Sequence, residues 1–224
     1  MALILKRLIE ETDIERIRMG SVESAEIDDA LIDVINSSSR ICPHLHLPIQ
    51  SGADEILQSM RRRYTKDEYI SLIERLTGRI QGLTVSTDLI VGFPGETDML
   101  FAETMDTLNR LRFSHIHAFP YSPRQGTPAA AMAGQVPNNV KKRRVDTVNS
   151  LSERQKKALL DSLIGAEVQV LLEEIKDNAG EGFSEQYERV RVAVPAGCER
   201  GRIIDVLLTG RDGTVLTGRV KEAF

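Results

Sequence analysis

Cysteine is almost missing: Cys42 and Cys198 are the only two in 224 residues, and they lie far apart with no partner spacing. Two isolated thiols cannot make a zinc knuckle or hold an iron–sulfur cluster, which takes three or four thiolates. They read as buried spectators, and no metal site is expected. Long apolar runs are missing too; none reaches the length of a membrane span, and the N-terminus has no signal-peptide pattern. A soluble cytoplasmic protein with no membrane partner is the expectation. Positive charge is not in excess: 29 Lys+Arg against 33 Asp+Glu leave −4, which argues against a non-specific polyanion binder. The local clusters Arg61–Arg63 and Lys141–Arg144 are expected on solvated helix faces.

What is present is a repeated theme up to about Ser150: a short apolar strand, a polar turn, an amphipathic helix. Strands are predicted from Ile14 (IERIRM), His44 (HLHLPI), Leu83 (LTVSTDLIV) and His115 (HIHAF). Helical spacing puts Ile27, Leu31 and Val34 on one face, and likewise Tyr69, Ile73, Leu76 and Ile80. Phe101, Met105 and Leu108 mark the next helix. Thr65 and Glu68 have the spacing of a capping box. Such alternation predicts parallel strands joined by right-handed crossovers, in a barrel or an open sheet. One long charged helix is predicted from Asn138 to about Leu163. Short alternating runs follow (VQVLLE, ERVRVAV, RIIDVLLTG, GTVLTGRV), with a turn at Arg211–Gly213, and predict a small all-β barrel. The expected domains are therefore 1–163 and 164–224. Four strands cannot close a parallel barrel around a filled interior, so part of the fold is expected to be missing on the N-terminal side.

Ligand chemistry in parallel α/β folds sits at the C-terminal ends of the strands. Here those ends read GSVES (Gly20–Ser24), PIQSG (Pro48–Gly52), GFPGET (Gly92–Thr97) and PYSPRQGTP (Pro120–Pro128), and all four would line one rim. GFPGET lacks the Gly-Lys-Ser/Thr ending of a phosphate-binding loop and the G-x-G-x-x-G spacing of a dinucleotide fold. Gly92 and Gly95 permit either a close approach to a flat ligand or simply a tight strand-to-helix turn, with Glu96 and Thr97 where a helix N-cap belongs. Ser51 suits an N-cap, and Gln50 offers an amide to a ribose or carboxylate. Asp88, inside an apolar strand, needs a partner, either a structural hydrogen bond or a ligand. His44 and His46 alternate with leucines and share a face, as satisfied core histidines.

Set together, HLHLPIQSGADEILQSMRRRYT, TVSTDLIVGFPGET and FPYSPRQGTPAAAM resemble the radical S-adenosylmethionine methylthiotransferases, from about Leu3 to the C-terminus. The resemblance implies a partial parallel (β/α) barrel of radical-SAM type, followed by a TRAM domain, a small OB-like β-barrel that grips RNA. It implies S-adenosylmethionine as cofactor, with Gly92 and Gly95 backing the adenine and Gln50 and Ser51 near the ribose and methionine. Arg62 would pair with the carboxylate, while Asp88, Tyr121 and Ser122 would complete the rim beside Arg124. Arg189, Arg191, Arg200 and Arg202 would carry a weak, salt-sensitive contact to RNA, the tRNA anticodon stem-loop. The strings RICPHLHLPIQSG, RRRYT and FPYSPR lean toward the branch acting on threonylcarbamoyl-adenosine in tRNA. The family's C-x-x-x-C-x-x-C loop, which holds a four-iron cluster, has no counterpart here, so the chain is expected to be the C-terminal part of such an enzyme and inactive alone. Its open strand edge would pair edge to edge as a dimer or take its missing half in trans. Three rivals stand: a stand-alone RNA-binding module, a methylthiotransferase acting on isopentenyl-adenosine or a ribosomal protein, and an unrelated complete α/β enzyme.

Overall fold

Strand–helix alternation shapes the first part of the chain. The computed structural model describes residues 1–221; the last three residues of the second predicted domain lie outside the described residues. In order come α1 (Ala2–Glu11), α2 (Asp29–Asn36), β1 (His44–His46), α3 (Asp54–Ser59), α4 (Lys66–Arg79), β2 (Thr84–Val91), α5 (Asp98–Arg110), β3 (His115–Pro120), α6 (Pro128–Ala131) and α7 (Asn138–Leu163). The α4 start is fixed by a capping box, with Thr65 and Glu68 each accepting from the other's backbone N–H, and Tyr69, Ile73, Leu76 and Ile80 are all buried. In α2 the buried face is Leu31, Ile32 and Ile35; of the predicted Ile27, Leu31 and Val34, the first two are core and Val34 packs against it. Ile27 precedes the Asp28 cap, so helical spacing does not extend back to it.

β1, β2 and β3 form a three-stranded parallel sheet with β2 central. The strand predicted from Ile14 is not one. Residues there touch the sheet region only through single bridges, Ile17 to Ile41 and Ser21 to His46. Arg40 ties this segment to the end of α1 instead: its guanidinium donates to the carbonyls of Ile9 and Thr12 and to that of Ile14, the first residue of the predicted strand. Period-two alternation gives the sheet two unlike faces. Leu45, Val85, Leu89, Val91 and Ile116 enter the main core with the helices. The opposite, inner face carries His44, His46, Ser86, Asp88, Ile90, His115, His117 and Phe119, by the register that pairs His46 with Ser86, Asp88 with His117 and Ile90 with Phe119.

After α7 the chain closes a five-stranded barrel, β4 (Glu167–Lys176), β5 (Ala179–Ser184), β6 (Arg189–Ala193), β7 (Ile203–Asp212) and β8 (Val215–Val220), in the order β4-β5-β6-β8-β7. Alternate apolar residues, among them Val170, Leu172, Val190, Val206 and Leu216, fill it, and Leu160 of α7 plugs the same core. The architecture is the OB-like one expected. The sequence reading missed β5. Its glycines interrupt the alternation, yet they are what lets it pair: a Cβ on Gly182 would lie 1.8 Å from the Leu171 carbonyl oxygen.

This barrel docks at the N-terminal ends of the parallel strands. Thr84 Oγ1 donates to the Gln186 carbonyl at 2.8 Å, the Tyr187 ring lies 5.2 Å from His44, and Arg18 stacks over Tyr187 at 4.0 Å. Arg16 donates to the Phe183 and Gln169 carbonyls. Lys156 pairs with the buried Glu188.

Candidate functional site

At the C-terminal end of β1 the chain turns through Gln50, whose φ of +64° is the left-handed conformation few non-glycine residues adopt. The turn is braced on both sides. Gln50 exchanges two 2.9 Å backbone bonds with β2, to the Asp88 carbonyl and from the Ile90 N–H. The Tyr64 hydroxyl donates to the Pro48 and Ile49 carbonyls. Ser51 is fully buried and is not the N-cap it was expected to be: α3 is capped at Ala53. The Ser51 Oγ instead accepts from the Ala53 N–H at 3.2 Å, because α5 packs so closely on Gly52 that the turn is pulled inward.

The Gly-Pro-Gly turn after β2 has two jobs. Gly92, at φ +71°, sits under α7, and a Cβ there would lie 2.4 Å from Lys141 Cγ. Gly95, at φ +87°, has nothing within 4 Å of its missing Cβ, so its side is open. Thr97 caps α5 through the Leu100 N–H. Behind the turn lies a buried ion pair. Glu96 accepts from the Gly92 N–H at 2.6 Å and from Arg144 at 2.6 Å. Burial pushes its carboxyl pKa up, against the lowering pull of Gly92 and Arg144. Arg144 also reaches the Glu96 carbonyl and Asp98. The expectation that Lys141–Arg144 is a solvated face therefore fails for two of its four residues: Lys141 and Arg144 are both 5% exposed, drawn in by the Tyr121 carbonyl and by Glu96.

These turns border an open cleft of about 710 Å³ whose walls include Met60, Arg61, Arg62, Ile90, Phe93 and Met132, a size suited to a cofactor. Tyr121 meets Phe93 edge-on at 5.1 Å, and its hydroxyl is buried without a hydrogen-bond partner among the described residues. Ser122 is exposed beside it. Arg62 pairs with Glu23 at 3.2 Å. Of the predicted rim, Arg62 lines the cleft together with Phe93, Thr127 and Pro128 of the predicted turns, while Gln50, Gly92, Gly95 and Tyr121 shape the turns around it. Ile90 and Met132 were not foreseen; apolar residues at a strand end or in a loop carry no chemical signal of their own. A second cavity, of about 580 Å³ around Arg112, Arg154 and Gln155, has none of the predicted rim residues in its lining.

Between rim and second barrel runs the inner face, which carries all four histidines of the chain. His44 is satisfied, its ring nitrogens meeting Thr84 Oγ1 at 2.9 Å and Ser86 Oγ at 3.1 Å. Burial, then the nearby Arg18, lower its pKa to about 4. His46 holds Ser86 Oγ through Nδ1 at 2.9 Å and faces Asp88 through Nε2 at 3.2 Å, which supplies the partner Asp88 was expected to need. His115 and His117, on β3, stack edge-on at 4.1 Å. Burial lowers both of their pKa values.

On the second barrel Arg189 and Arg191 share the outer face of β6, and both reach Glu181 of β5, at 3.5 and 2.5 Å. Arg191 also lies 3.7 Å from Asp212. Arg200 and Arg202 are exposed in or beside the loop that enters β7. Of the two thiols, Cys42 is buried beside Arg16 and Arg18, and Cys198 is half-buried in the β6–β7 loop against the barrel core.

Residues 1–108 match the family model of the radical SAM superfamily. The chain is 38% identical over 205 residues to tRNA-2-methylthio-N(6)-dimethylallyladenosine synthase 1 of Mycobacterium marinum, covering 92% of this chain and 37% of that protein. It is also 38% identical over 194 residues to threonylcarbamoyladenosine tRNA methylthiotransferase MtaB of Bacillus subtilis, covering 82% and 43%. The chain thus spans less than half the length of these curated relatives. Among solved structures, coproporphyrinogen III oxidase (HemN) of Escherichia coli, a radical SAM enzyme, superposes with a TM-score of 0.55 at 17% identity, covering 69% of this chain and 36% of that one. That likeness concerns the fold alone. Residues 1–108 thus resemble the radical SAM superfamily, and the chain is homologous over most of its length to tRNA methylthiotransferases.

Proposed function

We propose that this chain is the cofactor-holding and RNA-holding part of a cytoplasmic tRNA methylthiotransferase acting on threonylcarbamoyl-adenosine beside the anticodon. One observation carries the reading: the cleft at the C-terminal strand ends, bordered by the left-handed turns at Gln50 and Gly92–Gly95, in a chain homologous to methylthiotransferases over most of its length. Its residues fit S-adenosylmethionine. Ile90, Phe93 and Met132 offer apolar wall to a purine, Arg61 and Arg62 offer cations to a carboxylate, and the buried Tyr121 hydroxyl lacks a partner among the described residues. Gln50, Gly92 and Gly95 shape the turns that would hold its adenosine. When bound, S-adenosylmethionine supplies the methyl group and the radical chemistry. The donor set does not fit a four-iron cluster, since Cys42 is in the core and Cys198 is on the other barrel. Its thiolates are expected from the remainder of a protein of the relatives' length, so the chain alone is inactive.

RNA would enter from the end where the second barrel docks. Arg189, Arg191, Arg200 and Arg202 would hold the anticodon stem-loop there, and the target base would lie along the inner face toward the rim. A second reading, modification of dimethylallyl-adenosine, is favoured by the Mycobacterium marinum relative and several others of its kind. Mass spectrometry of digested tRNA decides both. The protein that includes this chain is expressed in a strain lacking endogenous methylthiolation. A methylthio adduct on threonylcarbamoyl-adenosine supports the first reading; an adduct on dimethylallyl-adenosine supports the second. Unmodified tRNA with a reconstituted enzyme overturns both.

A further inference from the structure

We propose that His46, Asp88 and His117 form a binding site for one divalent transition-metal ion, zinc-like in its preferences, on the inner face of the parallel sheet. It is independent of the cofactor reading above and uses no cysteine.

Three adjacent strands each supply one donor. The register sets Asp88 of β2 opposite His117 of β3, with His46 of β1 opposite Ser86, one inward position before Asp88. The three ligand atoms lie within 4.8 Å of one another, and His46 Nε2 is already 3.2 Å from Asp88 Oδ2. Around a tetrahedral ion with bonds of about 2.0–2.1 Å, donors stand about 3.4 Å apart, so side-chain rotation alone closes the remaining gap. Two imidazoles and one carboxylate suit zinc, cobalt or nickel; calcium and magnesium prefer all-oxygen sites.

The neighbours sort ligand from bystander. His46 is held by Ser86 Oγ on Nδ1, the support that metal-bound imidazoles usually have, which leaves Nε2 as the coordinating atom. His44 has both nitrogens engaged, by Thr84 and Ser86, and has none to give. His115 stacks on His117 and stays outside the triad. Three protein ligands leave at least one coordination position open, for water or an anion.

The test is equilibrium dialysis of the EDTA-treated chain against zinc chloride, with cobalt(II) as a spectroscopic probe. One equivalent of zinc is expected, with a cobalt spectrum free of thiolate charge-transfer bands. Asp88→Asn and His117→Gln should each weaken binding at least about tenfold, while His115→Ala stays within about twofold. Circular dichroism melts confirm that each variant is folded; should one fail to fold, the other carries the comparison. Sub-stoichiometric zinc, thiolate bands, or zinc binding that survives either folded triad variant unchanged overturns the site.

Discussion

Arg144 ties the rim to α7 more firmly than the glycines beside it. It is 5% exposed and joins Glu96, the Glu96 carbonyl and Asp98 at 2.6–3.0 Å. Removing it strands a buried carboxylate, so Arg144→Ala should cost about 3–5 kcal/mol, with Arg144→Met/Glu96→Gln milder because no charge is left unpaired. Urea denaturation midpoints check the pair; a loss under about 1 kcal/mol for the single variant would show that the ion pair carries no weight. His44 ties stability to pH. Its folded pKa, about 4, lies below the ordinary 6.5, because burial first and Arg18 second disfavour the imidazolium. The folded state therefore takes up its proton later than the unfolded chain. The stabilisation is complete above about pH 6.5 and is lost as pH falls toward 4, by about 2–3 kcal/mol at pH 4.5. His44→Gln should lose correspondingly less between pH 7.5 and 4.5 in the same measurement; equal losses would remove His44 as the cause. At this scale the sequence was uneven. Thr65, Thr97 and Gly95 announce their roles through local turn and cap chemistry. Lys141 and Arg144 do not, since their burial depends on Tyr121, Glu96 and Gly92, which are distant in sequence.

Among the elements, α4, α7, β2 and β3 were legible because long periodic patterns and caps mark them. The Ile14 segment read as a strand on its alternation, but it meets its neighbours only through isolated bridges at Ile17 and Ser21, with Arg40 holding the Ile14 carbonyl. β5 was invisible because glycine carries no pattern, although close packing against Leu171 demands it. β6 shows why the pairing of elements matters to RNA binding. Its outward arginines are partly neutralised by Glu181 on β5. Glu181→Gln should therefore strengthen binding of a tRNA anticodon stem-loop, and Arg189→Ala/Arg191→Ala should weaken it. In the double variant the log–log salt slope should flatten by about 1.4, roughly 0.7 for each single-strand phosphate that is no longer neutralised. Filter-binding titrations over a salt series read both effects. An unchanged slope in the double variant would place the RNA-binding surface elsewhere.

In the whole molecule, the five-stranded barrel meets one end of the three-stranded parallel sheet, whose other end carries the cleft. The sequence showed two units of different class but not how they meet, because the joint is built from scattered residues: Arg16, Arg18, Thr84, Lys156, Gln186 and Tyr187. The inner face links the two ends, with His44 beside the second barrel and Ile90 at the rim. The most direct measurement of this arrangement is equilibrium dialysis of the purified chain with S-adenosylmethionine, beside Ile90→Glu and Arg62→Ala. Saturable binding of about one equivalent is expected, abolished by Ile90→Glu, which puts a charge on the apolar wall, and weakened by Arg62→Ala. No saturable binding to the folded chain, or equal binding by Ile90→Glu, would contradict the placement of the cofactor in this cleft.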